Sequence, residues 1–199
     1  MVAANALAIA NPREYLEHKI KRHQKEETMN VSEVIKTRYA VRLFSSTPVP
    51  DDVRLAILDA GRRSQSSKNS QPWQFVVVTE RALLEKMSKM GDFAWHLAGA
   101  DFAVLLVGLK DSTWNNFDLG QAAAFLQLAA SDVGVGSCIA AIYRPEEAKG
   151  LLGIPEDRTA YCAISFGYPA PEAKPNVMGG RKPVEELVYW NKWEGERNK

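Results

Sequence analysis

Residues 116–133 read Asn116-Phe117-Asp118-Leu119-Gly120-Gln121-Ala122-Ala123-Ala124-Phe125-Leu126-Gln127-Leu128-Ala129-Ala130-Ser131-Asp132-Val133. The spacing predicts one long helix. Leu119, Ala122, Ala123, Phe125, Leu126, Leu128, Ala129, Ala130 and Val133 cover more than one of its faces. A surface helix shows a single apolar stripe, whereas a helix that is apolar nearly all round is buried. In a chain of 199 residues that predicts a central helix, one that a second subunit could cover. Gly134-Val135-Gly136 stops it.

Outward from that helix the periodicity alternates between strand and helix. Ser137–Ile142 follows as a short strand. Pro145–Leu152 is a short helix with Pro at its start, Glu146 and Glu147 in its first turn and Gly153 at its end. Arg158–Gly167 alternates, with Ala160, Cys162, Ile164 and Phe166 on one face. On the N-terminal side, Asp101–Leu109 is a nearly all-apolar strand and 80–90 has helical spacing. Trp73–Thr79 is a buried strand. In 50–62, Val53, Ala56, Ile57 and Ala60 fall at i, i+3, i+4 and i+7 of an amphipathic helix. Pro50, Asp51 and Asp52 suit its first turn. The tail after Pro169 is rich in Pro and Gly and should be extended.

Residues 1–29 stand apart as an N-terminal helical extension. Pro12 could open a helix, and Arg13–Glu27 holds five basic and four acidic residues with only Tyr15, Leu16 and Ile20 as apolar anchors. The main domain is expected to span 30–199.

Composition narrows the function classes. Hydrophobic residues at 46% and charged residues at 25% are ordinary for a soluble globular chain. A net charge of +1 argues against a broad grip on nucleic acid or an anionic membrane. The longest apolar run, Phe102–Leu109, is too short for a membrane-spanning helix, and Met1–Ala10 has no basic residue ahead of it as a secretory signal would. Cys138 and Cys162 form no disulfide framework, so a reducing cytoplasm is the default location. His18, His23 and His96 do not cluster with cysteines or acids, so no metal site is expected.

Three groups could carry chemistry. Arg38-Tyr39-Ala40-Val41-Arg42, if extended, puts Arg38 and Arg42 on one side, where two guanidinium groups suit a phosphate and an electron-rich ring. A solvated basic surface is the plainer alternative. Ser64–Gln71 is a run of hydroxyls and amides that breaks at Pro72 into the strand, and it could equally be an ordinary polar turn. Gly179-Gly180-Arg181-Lys182-Pro183 offers close backbone approach and an anion partner, or a loose basic tail. Cys138 has no His or basic neighbour in sequence and suits a structural role. There is no Gly-x-Ser-x-Gly nucleophile elbow and no P-loop. No Gly-x-Gly-x-x-Gly follows a strand.

Taken in order, these groups resemble the FMN-dependent nitroreductase family. The resemblance rests on Arg38–Arg42 followed by Phe44, on Ser66–Trp73 leading into a Val-rich strand, and on Asp118-Leu119-Gly120-Gln121-Ala122. It rests also on Gly134–Cys138 and on Gly180–Leu187. It implies an α+β fold of three layers, a central and largely antiparallel sheet flanked by helices, in an intertwined homodimer with FMN at the interface. It implies that Arg38 and Arg181 hold the FMN phosphate, with Tyr39 and Ala40 contributing mainly backbone. The family often has Ser where Ala40 stands, so one hydroxyl to the phosphate is missing. Arg42 is implied at the ribityl chain and the N1/O2 edge of the ring. Ser66, Ser67 and Asn69 would serve the flavin of the other subunit, and the backbone near Ala140 and Ala141 would lie by the ring. A family polar contact in Met90–Gly99 has no clear counterpart.

The implied reaction is ping-pong. NADPH or NADH passes hydride to flavin N5, and a nitroaromatic, a quinone or a similar electron-poor small molecule then takes it. The cofactor does the hard step and the protein positions it, so no protein side chain need be a catalytic nucleophile. The same fold could instead serve reductive dehalogenation, enone reduction or another flavin redox reaction, or a flavin-binding interaction protein without catalysis.

Overall fold

Strand pairing organises the molecule. In the computed structural model, which describes residues 30–110, 113–175 and 180–193, four strands form one sheet: β1 Gln74–Val78, β2 Phe102–Leu109, β3 Gly136–Ala141 and β4 Arg158–Gly167. Their order is β1-β2-β4-β3 and every pair is antiparallel. Five helices surround it: α1 Val31–Thr37, α2 Asp51–Arg62, α3 Arg81–Met87, α4 Thr113–Asp132 and α5 Pro145–Leu152. The expected α+β, three-layer arrangement is present. The expected extension over residues 1–29 lies outside the described residues.

The central strand β2 explains its own sequence. Phe102, Val104 and Leu106 face one layer, with Val53 and Ile57 of α2 and Leu119, Ala122, Ala123 and Leu126 of α4. Ala103, Leu105 and Val107 face the other, with Leu84 and Met87 of α3, Leu97, and Ala148 of α5. A strand covered on both faces must be apolar throughout, which is why no alternation shows in its sequence.

One expectation shifts. β1 is only partly buried, with Gln74 and Val77 exposed, because it is an edge strand. The long helix packs on the core with one side and leaves another uncovered by its own chain. Leu119, Ala122, Leu126 and Ala130 face the core, but Trp114, Phe117 and Phe125 are exposed. Among the described residues no helix is long and apolar enough to cross a membrane.

Local chemistry sets the entry to the domain. Asn30 caps α1 reciprocally: its Oδ1 accepts the Glu33 N–H at 3.1 Å, and its own N–H donates to Glu33 Oε2 at 3.0 Å, a capping box. α1 ends at Arg38, where the chain becomes extended and enters the candidate site.

Candidate functional site

Two glycines place the Arg38–Arg42 segment. Gly136 of β3 and Gly167 of β4 are directly opposed in register. A Cβ on Gly136 would lie 2.7 Å from the Val41 side chain, and one on Gly167 would lie 2.9 Å from the Phe44 ring. Both are closer than real side-chain carbons approach, so only glycine leaves a slot for residues 41–44. The slot is then closed by main-chain bonds. Val41 N–H donates to Ser137 O at 3.0 Å, Ser45 N–H to Tyr168 O at 2.8 Å, and Ala170 N–H to Leu43 O at 3.0 Å. Ala40 pairs with Ser137 in the parallel sense.

The two arginines converge as expected. Burial pushes the Cys138 thiol up from its ordinary range, and the charges of Arg42 and Arg38, with a hydrogen bond from Arg42, act against it. Both positive charges therefore act on Cys138 of β3. Each arginine is half-buried, and among the described residues neither is paired with a carboxylate. A recess of about 170 Å³ opens beside Arg38, lined also by Tyr39, Ser131, Gly134, Ser137 and Pro169 among others.

His96 lies beneath this segment and is almost fully buried. Its Nδ1 is 2.8 Å from Ser165 Oγ, and the Ser165 hydroxyl donates to Cys138 O at 3.2 Å. The tautomer decides which of Nδ1 and the Ser165 hydroxyl donates in the contact between them. Nε2 is buried with no hydrogen-bond partner. Burial first, and then the Arg42 charge, hold the imidazole at about 4, so His96 is neutral at physiological pH.

The turn at Met90 also reaches this site. Tyr143 N–H donates to Met90 O at 2.9 Å, and Gly91 packs so closely on Ala141 O that no side chain would fit. Ala140 is buried and Ala141 exposed, as alternation along β3 requires. Sequence reasoning left Met90–Gly99 without a role. The stretch is brought to β3 by long-range packing, for which Gly91 alone is a local mark.

The polar loop is built by opposite means. Ser66 Oγ accepts the Gln71 N–H at 3.0 Å, and Ser67 N–H donates to Asp118 Oδ2 at 3.1 Å. Gln65 Nε2 donates to Gln121 Oε1 at 2.7 Å. Lys68, Asn69 and Gln71 have φ of 52°, 55° and 47°, the left-handed region that non-glycine residues seldom adopt. Arg181 is exposed in an extended segment before the turn Val184–Glu186.

One chain does not bring all these residues together. Asp118 and Ser131 lie on the same helix, thirteen residues apart, so a rise of about 1.5 Å per residue separates the loop anchor from the arginine recess by about 20 Å along α4. β1 and β3 are opposite edges of the sheet, three strand spacings or about 14 Å apart. The Arg38–Arg42 segment and β3 form one cluster, and the Ser66–Asn69 loop forms another.

A family model for the nitroreductases matches residues 35–98 and 96–168, which include both clusters. The chain belongs to the nitroreductase family. It is 32% identical over 148 residues to an Archaeoglobus fulgidus protein whose name is that of an NADH dehydrogenase/NAD(P)H nitroreductase, covering 70% of this chain and 85% of the relative. It is 27% identical to the NADPH-flavin oxidoreductase of Vibrio harveyi, covering 83% and 75%. Among solved structures, an FMN-dependent nitroreductase of Clostridium difficile shares the fold with a TM-score of 0.74 at 24% identity, covering 81% of this chain and 99% of that one. Membership in this family makes the chain an NAD(P)H-dependent oxidoreductase.

Proposed function

We propose that this nitroreductase-family chain is an FMN enzyme that takes hydride from NADPH or NADH and delivers it to a small electron-poor acceptor such as a nitroaromatic or a quinone. The observation that carries this is the pair Arg38 and Arg42, half-buried, unpaired with any described carboxylate and set beside β3 through the Ala40–Ser137 pairing and the Val41 N–H to Ser137 O bond. Two such cations call for a bound anion. Arg38 and Tyr39 at the recess, with the adjoining backbone of Ala40, suit a phosphate, with Arg181 as a second cation. Arg42, two residues beyond Ala40, suits the N1/O2 edge of a flavin ring. When bound there, FMN supplies a hydride-accepting and hydride-donating centre at N5. Arg42 places a fixed positive charge where negative charge collects on reduction, and in a site of low polarity such a charge counts for more than in water. The backbone near Ala140 and Ala141 would lie by the ring, with the Ala140 methyl turned into the core and Ala141 exposed.

The homodimer belongs to the same proposal. A recess of about 170 Å³ is smaller than cofactor pockets usually are, so much of the ligand would lie on open surface unless a partner covers it. Trp114, Phe117 and Phe125 are exposed on α4, and a Cβ on Gly120 would meet nothing within its own chain. A partner seated on that face would bring its Ser66, Ser67 and Asn69 to this chain's flavin. We place the enzyme in the cytoplasm, in keeping with its two free thiols. Residues from about 30 onward would form the FMN-binding domain, with residues 1–29 appended.

The visible spectrum of the purified protein tests the proposal. A yellow protein that bleaches on addition of NADH or NADPH is expected. A colourless protein that cannot be reconstituted with FMN ends it.

A further inference from the structure

We infer that Asp118 is a positioning residue for the flavin-contacting loop, holding Ser66–Gln71 in its left-handed conformation through one buried carboxylate. This rests on the FMN reading above. Asp118 has 2% of its surface exposed. It sits in α4, an element rigidly packed on the core through Leu119, Ala122 and Leu126. Its Oδ2 accepts the Ser67 N–H at 3.1 Å. Gln121 stands on the next turn of the same helix face and accepts from Gln65 at 2.7 Å. The helix therefore grips the loop at both Gln65 and Ser67, ahead of the three residues with positive φ.

That grip explains a conformation the loop's own residues do not favour. Lys68, Asn69 and Gln71 all carry positive φ, and for L-residues this backbone is disfavoured by contact of Cβ with the neighbouring carbonyl. The loop's internal bonds, Asn69 N–H to Ser66 O, Ser70 N–H to Ser67 O and Gln71 N–H to Ser66 Oγ, each 3.0 Å, are short-range and leave its orientation free. Backbone in sparsely populated regions persists where its surroundings over-determine it, and such places cluster at functional sites. Here the over-determining contact is Asp118 on the Ser67 amide. The result is that Ser66, Ser67 and Asn69 are presented outward from β1 in a fixed shape before any cofactor arrives.

The test compares Asp118→Ala, Asp118→Asn and the double variant Asp118→Ala/Lys68→Gly in the full chain. FMN affinity is read by quenching of flavin fluorescence, and amide exchange of residues 64–71 is read on protein without FMN. Asp118→Ala should weaken FMN binding at least tenfold and speed exchange of the loop. Asp118→Asn keeps an oxygen that accepts the Ser67 N–H and should stay within about threefold of the unaltered chain. Lys68→Gly removes one left-handed penalty and should recover part of the lost affinity. FMN binding by Asp118→Ala within twofold of the unaltered chain, with loop exchange unchanged, overturns the inference. Should Asp118→Ala not fold, Asp118→Asn decides: affinity and exchange near those of the unaltered chain support the role, and a loss of tenfold or more overturns it. If the unaltered chain binds no FMN, the flavin reading fails by itself. Exchange in the apo protein then still judges Asp118, since unchanged exchange in Asp118→Ala refutes the grip.

Discussion

The Arg38–Arg42 segment and the Ser66–Gln71 loop are both brought to the surface of the same sheet, yet they are held in opposite ways. The arginine segment has ordinary extended backbone, paired to β3 and to the chain after β4, and is admitted by the absence of two side chains at Gly136 and Gly167. The loop has unusual backbone and is held by side chains of α4, the buried Asp118 and its neighbour Gln121. The first is fixed by main-chain bonds that any sequence could make if the space exists. The second depends on particular side chains, chief among them one buried carboxylate. Substitutions that fill space should therefore damage the arginine side, and substitutions that delete a partner should damage the loop.

The largest expected effect concerns acid. Unfolded, His96 takes a proton near 6.5; folded, it refuses one until about 4. A folded pKa below the unfolded one means that stability is complete above about 6.5 and falls as pH drops through that window. The loss is about 1.4 kcal/mol per unit, or up to about 3 kcal/mol by pH 4. Denaturant unfolding between pH 7 and 4 measures it, and His96→Gln should flatten that part of the profile. An unchanged slope in the variant would show that His96 is not the group responsible.

Filling the slot comes next. Gly136→Ala drives a Cβ to 2.7 Å from Val41, and overpacking of this kind costs about 1–3 kcal/mol. The midpoint of chemical denaturation should fall, and FMN retention should fall with it as Arg38 and Arg42 shift. Gly150→Ala is the control on the opposite kind of site, since Gly150 is exposed on α5 and nothing lies within 4 Å of its Cβ. Thermal melting that treats the two alike would break the contrast.

Removing a charge rather than adding bulk gives a smaller loss. Arg42→Ala should weaken FMN about tenfold, or about 1.4 kcal/mol, while the fold survives. It should also raise the Cys138 thiol further, because Arg42 opposes the effect of burial there. Stopped-flow reduction by NADPH should slow in the same variant. Smallest of all, Gln71→Gly relieves a φ of 47° and should stabilise the loop by a few tenths of a kcal/mol, because glycine's own entropy offsets most of the relief. Melting of the apo protein would show its sign.

Much of this was legible in the sequence. The helices and strands followed from periodicity, since burial on one or both sides writes itself into the spacing of Val, Leu and Ala. The arginine pair and the polar run were recognisable as groups. What escaped was long-range. Gly136 was legible as a helix stop, but its need to admit Val41 depends on a segment nearly a hundred residues earlier. Asp118 stood inside a motif with no role, because its partner is a backbone amide, which no sequence displays. His96 looked isolated because its neighbours, Ser165 and Arg42, come from distant strands. The edge position of β1 was missed because Phe75–Val78 is as apolar as a central strand.

Helix α4 measures the distance between the two halves of the site. If the arginines at one of its ends and the loop at the other serve different cofactors, a lone chain owns two half-sites and no whole one. Occupancy by FMN then obeys mass action in the protein itself. Dilution would release flavin and raise its fluorescence without any change in pH, temperature or sequence, and a mixture of Arg42→Ala chains with Asp118→Ala chains would regain one intact site per mixed pair.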